Sequence, residues 1–244
     1  TIPDEVHSKL KEQQPISDFK RKKLELEAAS NWDRFYKRNT DKFFKGIISV
    51  GNMLIPLHDY FPLWSLYGMD FSNKAIEILQ QKAQLLGIKA QTLVKDLAVE
   101  NDEPNPFPPC DIVSLIFVLS AISPEKHESA IRNIKHMVKQ GGSVVVRDYA
   151  VFDHTMVRFG RGTKISDRFY ARQDGTRSYF FTIGSSTLYS EIALSFSEEL
   201  RQLFESSGFE TERCEYLHKK TVNVKEDVNV KRIFIQGRFI LKTL

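Results

Sequence analysis

Two aspartates close short apolar runs: Asp70 ends LWSLYGMD (63–70) and Asp96 ends IKAQTLVKD (88–96). A carboxylate offers two acceptors, which is what the adjacent hydroxyls of a ribose require. Gly51 follows the run Ile47–Val50 and stands about 20 residues before Asp70. In strand–turn–helix nucleotide sites, an acid at that spacing takes the ribose hydroxyls. Asp96, followed by Leu97, offers an acceptor for an exocyclic amine and an apolar surface for a ring face. Ligands of open α/β sheets bind outside the carboxyl ends of the strands, so Asp70, Asp96 and the Ile116–Ser120 strand end should converge there. On the residues alone, Asp70 with Ser72 serves equally well as a turn and helix cap, and Asp96 as a plain loop acid.

A second chemistry-bearing pattern is cationic and aromatic. FKRKK (19–23) carries Lys20, Arg21 and Lys22 on a charged, helix-prone stretch. RFGRGTKISDRFYARQDGTRSYFF (158–181) interleaves Arg158, Arg161, Lys164, Arg168, Arg172 and Arg177 with Phe159, Phe169, Tyr170 and Tyr179. Cations for phosphates and flat rings for an unstacked base are what recognition of an RNA loop needs. A charge run is also what an ordinary solvated face looks like. The net charge of +4 permits an anionic partner without demanding one.

Other chemistries find little support. Cys110 and Cys214 have no C-x-x-C spacing, so disulfide frameworks and cysteine-rich zinc sites are not expected. The six histidines are scattered, so no metal site is expected. Tyr216 and Lys220 match a Tyr-x-x-x-Lys spacing, but on a terminal strand far from any crevice. No apolar run approaches the about 18 residues of a membrane span, and the first residues are polar rather than signal-like. A cytoplasmic or nuclear setting is expected.

These residues need a scaffold, and the pattern supplies one. Strands are expected at 47–50, 63–70, 88–96, 110–121 and 143–150, the fourth as a central strand covered on both faces. Helices are expected from Asn52 towards Tyr60, at 72–87, at 124–142 and at 195–209. Ser72 caps the second of these and Gly87 stops it. A polar-aromatic segment, 151–194, breaks the alternation, and two strands near 212–222 and 230–241 follow. Five strand–helix alternations argue for a mostly parallel sheet covered on both faces. Two final strands without a helix between them make an antiparallel hairpin. This is the layout of class I (Rossmann-like) methyltransferases, with an N-terminal helical extension. A dinucleotide oxidoreductase would continue with a further βαβ unit and show G-x-G-x-x-G.

NWDRFYKRNTDKFF (31–44), MDFSNKAIE (69–77), LIFVLSAISPEK (115–126), VVRDYAVFDHTMVRF (145–159), FYARQDGTRSYFFT (169–182) and TVNVKED…VKRIFIQGRF together resemble the eukaryotic tRNA N3-methylcytidine methyltransferases of the methyltransferase-like group. The resemblance runs from about residue 15 to the last strand. It implies S-adenosylmethionine as donor, S-adenosylhomocysteine as product, and the cytidine at position 32 of a serine, threonine or arginine tRNA as substrate. Some members depend on an aminoacyl-tRNA synthetase. Carried over by motif, Trp32 and Tyr36 close over the donor, Gly51 is the last glycine of its turn, Asp70 holds the ribose, Asp96 and Leu97 the adenine, and Ile116 contacts the donor. From the residues alone, Trp32 and Tyr36 share a helix face and serve as well to dock that helix. The implied organisation is a basic helical extension over 1–45, contributing to tRNA binding and to a donor lid. A methyltransferase domain over 46–244 follows, with an RNA-binding insertion at about 151–194.

Methylation at N3 needs no covalent nucleophile, because the ring nitrogen's lone pair attacks directly. The protein must hold the base in line and stabilise the positive charge it gains. Asp148, with Arg147 as partner or phosphate ligand, is the first candidate, and Asp174 in RQDGTR the second; Arg147 and Asp148 could also be a structural ion pair. C5 chemistry would need a cysteine nucleophile, and Cys110 precedes its strand at the wrong end. One departure stands out. The family turn reads approximately acidic-x-Gly-Cys-Gly-x-Gly-Asn, preceded by a few tens of residues. Here only Val50-Gly51-Asn52 remains, and Lys45 runs directly into Gly46. Two explanations fit: residues are left out of the sequence at this junction, which the retention of every other motif favours, or the glycine turn is lost, in which case the alternative function is a donor-deficient, RNA-binding adaptor.

Overall fold

The structure is a computed structural model that describes residues 8, 10, 12–39, 53–99, 107–182, 199–223 and 228–243. The turn containing Gly51, the strand expected at 47–50 and the first residues of the helix expected at 195–209 lie outside them.

Residues 8, 10 and 12 are helical, and two further helices follow. Ser17 caps α1 (Asp18–Leu26) through its side chain, and α2 (Ala28–Asn39) follows at once. Helical spacing sorts α2 into two faces. Asn31, Trp32, Phe35 and Tyr36 are buried, while Arg34, Lys37 and Arg38 are exposed. After α3 (Leu54–Tyr60), β1 (Leu66–Asp70), α4 (Asn73–Leu85) and β2 (Ala90–Val94) form a βαβ unit with parallel pairing that aligns Asp70 with Val94. The α4 boundaries follow the expected signals. Ser72 Oγ accepts from Ala75 N at 3.1 Å, and Gly87 takes a φ of +67° that glycine adopts freely. Gly68 is required for a different reason, since a Cβ there would lie 2.8 Å from Leu79 of α4.

Next come β3 (Cys110–Ile116), α5 (His127–Lys135) and β4 (Val138–Tyr149). β3 pairs with β4 in parallel, β4 with β9 (Val228–Leu241) antiparallel, and β9 with β8 (Phe209–Asn223) in a long hairpin, giving the order β3-β4-β9-β8. The parallel pairs closed by a terminal hairpin match the expected layout. Three expectations need correction. The helix expected over 124–142 is a 3-10 turn (Pro124–Lys126) followed by α5, which ends at Lys135. Val138 already pairs with Cys110, and Gly141, at φ +73°, lies inside the strand. β3 is not covered along its length: among the described residues it is a sheet edge, and Ile112 is 49% exposed. Its covering layer reaches only the half that holds Leu115. The strand expected over 110–121 ends at Ile116, and the segment that breaks the alternation contains α6 (His154–Arg158) and a small antiparallel sheet of β5 (Lys164–Ser166), β6 (Phe169–Ala171) and β7 (Arg177–Tyr179).

One cluster joins these layers. Leu115, Leu119, Ile131, Ile134, Val144 and Val146 meet Phe181, Leu200 and Phe204 of α7 (Glu199–Glu205), together with Phe239 of β9. Phe204 stacks on Phe239 at 4.0 Å. Removing either ring would cost about 3–5 kcal/mol.

Candidate active site

Asp70 sits where β1 ends, half-buried, with Oδ1 accepting from Ser72 N at 2.9 Å. Burial, with the nearby Asp33 carboxylate adding to it, pushes its pKa up to about 6. Asp33 was not anticipated from the sequence. It reaches across from α2, and its Oδ1 accepts from Ser72 Oγ and from Lys74 N at 3.1 Å, so α2 helps cap α4. The hydrogen bonds to Asp70 come from backbone N–H groups at the strand end. Such a carboxylate has acceptor capacity left, and two hydroxyl donors would relieve the cost of its charge. This fits a ribose diol.

Asp96 follows β2, with Oδ1 accepting from Ala98 N at 2.8 Å; Leu97 is half-buried against the main core, and its carbonyl accepts from Asn133 Nδ2. Ile116 ends β3, half-buried. These positions fit the adenosine half of a nucleoside donor. Trp32 and Tyr36 are buried in a ring cluster with Phe35, packed on Ala75 and Ile78 of α4. They dock α2 beside Asp70.

Asp148 is fully buried at the end of β4. Its Oδ2 accepts from Ser120 N at 2.9 Å and its Oδ1 from Tyr149 N at 2.8 Å. Burial raises its pKa to about 6 against these hydrogen bonds and the Arg172 charge. The loop it pins is held from the other side by His127. That ring's Nε2 meets the Leu119 and Ile122 carbonyls at 2.9 and 3.2 Å, and burial lowers its pKa. Phe117, at the start of this loop, carries a φ of +56°, the kind of strain that persists only where its surroundings enforce it. Phe117 and Phe234 flank Tyr149, and Arg172 lies over the Tyr149 ring at 5.5 Å.

Several expected roles change. Arg147 does not pair with Asp148, because successive strand residues point to opposite faces. It donates to Gln236 Oε1 on β9 at 2.8 Å instead. Asp174 closes the β6–β7 turn, its Oδ1 accepting from Thr176 N at 2.9 Å and Thr176 Oγ at 2.6 Å. Three residues expected to face RNA turn inward. Arg177 is 7% exposed and paired with Glu25. Arg168 is 15% exposed and bonded to Glu199 at 2.6 Å. Tyr179 is buried and donates its hydroxyl to Glu199. Lys20, Arg21, Lys22 and Arg158 are exposed, with Lys20 Nζ donating to the Gly162 carbonyl at 3.1 Å. Arg172 is half-buried.

Glu25 is the residue that sequence reasoning missed most completely. It accepts from Ser123 Oγ at 2.6 Å, from Lys126 and from Arg177, uniting α1, the loop after β3 and β7. Burial alone would raise its pKa, but those hydrogen bonds and the Arg177 charge hold it down at about 2. No local signal marks it, since its partners lie about a hundred residues or more away along the chain. Among the described residues there is no cluster suited to a metal ion and no helix long and apolar enough to cross a membrane.

Comparison with known proteins gives three kinds of match. Residues 49–144 match a family described as "Methyltransferase domain". The chain is 38% identical over 269 residues to the Homo sapiens "tRNA N(3)-cytidine methyltransferase METTL6", covering 98% of this chain and 89% of that protein. It is 30% identical over 251 residues to the Schizosaccharomyces pombe "tRNA N(3)-methylcytidine methyltransferase trm141", covering 91% and 96%. Among solved structures, a SAM-dependent methyltransferase from Methanosarcina mazei superposes with a TM-score of 0.55 at 14% identity, covering 80% of this chain and 90% of that one. The last is a likeness of fold.

Proposed function

Because this chain belongs to the tRNA N(3)-cytidine methyltransferases, we propose that it transfers a methyl group from S-adenosylmethionine to N3 of a cytidine in tRNA. The observation that carries this reading is the 38% identity over 98% of the chain. In its finer form, the target is the cytidine at position 32 of a serine, threonine or arginine tRNA, with an aminoacyl-tRNA synthetase as a candidate partner. A cytoplasmic or nuclear setting belongs to the same reading.

S-adenosylmethionine, when bound, supplies an electrophilic methyl group on a sulfonium. Asp70 would take the ribose hydroxyls, Asp96 and Leu97 the adenine, and Ile116 an adjacent face. Asp148 does two things in this reading. It fixes the loop at Ser120, and it holds a negative charge in a water-poor environment at the carboxyl end of β4. Such a charge stabilises the cationic base as N3 gains its fourth bond, and a fixed carboxylate needs no reorganisation to do so. Arg172, over Tyr149 and close enough to act on Asp148, sets the local potential and offers donors to a base oxygen.

A second reading has its own support. The human relative matches over 269 residues, more than the 244 of this chain, so it carries residues that this chain lacks. The abrupt Lys45–Gly46 junction and the glycine-poor turn are where the sequence departs from its family. A donor-deficient RNA-binding adaptor would follow from loss there. Calorimetry with S-adenosylmethionine, on this chain and on Asp70→Ala, separates the two, alongside nucleoside mass spectrometry of treated tRNA. Donor binding that Asp70→Ala abolishes, with 3-methylcytidine formed, supports the enzyme. No donor binding with or without tRNA, and no 3-methylcytidine, rejects it in favour of the adaptor.

A further inference from the structure

We propose that His127 is a positioning residue for methyl transfer, holding the Asp148 carboxylate in place through the single peptide group that joins Leu119 to Ser120. This inference rests on the methylating reading above, in which Asp148 answers the charge on the base. The Leu119 carbonyl accepts from His127 Nε2 at 2.9 Å. The Ser120 N–H, at the other end of the same peptide group, donates to Asp148 Oδ2 at 2.9 Å. A peptide group is planar, so fixing its oxygen fixes the direction of its N–H. The two hydrogen bonds form one chain, and polarisation strengthens each by about 10–30% over an isolated bond. Nε2 also meets the Ile122 carbonyl at 3.2 Å. Both oxygens can only accept, so Nε2 carries the hydrogen. Burial lowers the pKa of this ring, and the neutral imidazole is then the Nε2–H form.

The ring has little freedom to do otherwise. It is buried, stacked on Phe181 at 5.3 Å and edge-on to Tyr179 at 5.2 Å. The charged groups acting on it are Glu199 of α7 and Glu125 of the turn before α5. The charged group acting on Asp148 is Arg172, which follows β6. Tyr149 N–H holds the other carboxylate oxygen, and the Ser120 side chain bonds the same group. The neighbouring peptides of the loop are held as well. Ile122 N–H donates to the Leu119 carbonyl at 3.1 Å, and Arg177 Nη2 to the Ala121 carbonyl at 3.4 Å. Leu119 and Ser120 are both buried, so bulk water does not replace a donor lost here. A loosened peptide would let its N–H swing away from Asp148. That raises the cost of the carboxylate's charge and misplaces it against the base.

The test is steady-state methylation by parent, His127→Phe and His127→Gln, using whichever serine, threonine or arginine tRNA transcript the parent methylates fastest. Phenylalanine keeps a ring against Phe181 and Tyr179 but removes the donor. Glutamine returns an N–H close to the Nε2 position. His127→Phe should lower kcat about tenfold, while the KM for tRNA and the Kd for S-adenosylmethionine stay unchanged. Its acid limb should move up from near pH 6, because the charged form of Asp148 loses part of a hydrogen bond. His127→Gln should recover most of kcat and the parent's pH profile. An unchanged kcat and acid limb in folded His127→Phe overturns the proposal. So does a joint loss of kcat, tRNA affinity and donor affinity that glutamine does not reverse, since that is the mark of a purely structural role. Should His127→Phe fail to fold, the parent chain decides. Its imidazole nitrogen shifts, read by NMR at neutral pH, should show the Nε2–H tautomer, and the Nδ1–H tautomer overturns the proposal. No 3-methylcytidine from the parent chain overturns the methylating reading and this proposal with it. An active parent beside a full-rate His127→Phe variant overturns this proposal alone.

Discussion

Replacing Glu25 by Gln removes one charge from the junction of α1, the loop after β3 and β7. Its pKa is held at about 2 against an ordinary 4.5, a difference worth roughly 3 kcal/mol at 1.36 kcal/mol per unit. Its side chain is 32% exposed, so solvent screening trims this to about 2 kcal/mol. The sign follows from the depressed pKa. The stabilisation is present above pH 4.5 and is lost as pH falls towards 2, with about half gone by pH 3. Arg177, 7% exposed, is left with Ser123 Oγ and the Ala121 carbonyl as partners. The assay is urea unfolding of parent and Glu25→Gln at several pH values, with an Arg177→Met double-mutant cycle. A loss of about 2 kcal/mol near pH 7, shrinking between pH 5 and 3 and largely absent in the Arg177→Met background, is expected. A pH-independent loss, or one unchanged by Arg177→Met, would refute the reasoning.

Further outcomes follow from the same geometry. Asp148, raised to about 6 by burial, should give methyl transfer an acid limb near pH 6. Asp148→Asn should lower the rate at pH 7–8 by about 10²-fold or more, and a full-rate variant would remove Asp148 from the chemistry. Because that pKa is raised, its stabilising contribution exists below pH 3.8 and is lost as pH rises through 6. Asp148→Asn should therefore destabilise less at pH 7 than at pH 4, as chemical unfolding would show. Tyr179→Phe should leave tRNA affinity unchanged and lower stability by about 1 kcal/mol, since its hydroxyl serves Glu199. Gly175→Ala forces a side chain into positive φ and against Asn31. It should cost about 1–3 kcal/mol and weaken tRNA binding while leaving donor binding in place.

What could be read from the sequence was mainly local or periodic. Ser72 and Gly87 delimit a helix through signals within a turn of its ends, and Asp70 lies where an apolar run stops. The terminal hairpin follows from two strand patterns with nothing helical between them. β5, β6 and β7 are three residues each, too short for any period, so their sheet was hidden. Charge runs reveal composition but not direction. Arg168 and Arg177 look like RNA ligands until Glu199 and Glu25, from distant segments, claim them. α5 ends early because Val138 finds Cys110 across the sheet, a long-range preference with no local marker.

The anchoring of the N-terminal helices has a consequence for how the chain reaches its fold. Ile16 N bonds the Lys164 carbonyl, Gln13 the Phe159 carbonyl, Asn31 the Gly175 carbonyl, and Glu25 Arg177. Each pairing closes a loop of about 150 residues, and the entropy of closure must be met before any of them forms. These helices, made well before β5–β7, are thus among the last to settle. At synthesis rates of about 5–20 residues per second, they wait on the order of ten seconds or more for β5–β7 to emerge. During that interval a basic, ring-bearing segment is without its docking surface, open to chaperones and to any polyanion near the ribosome.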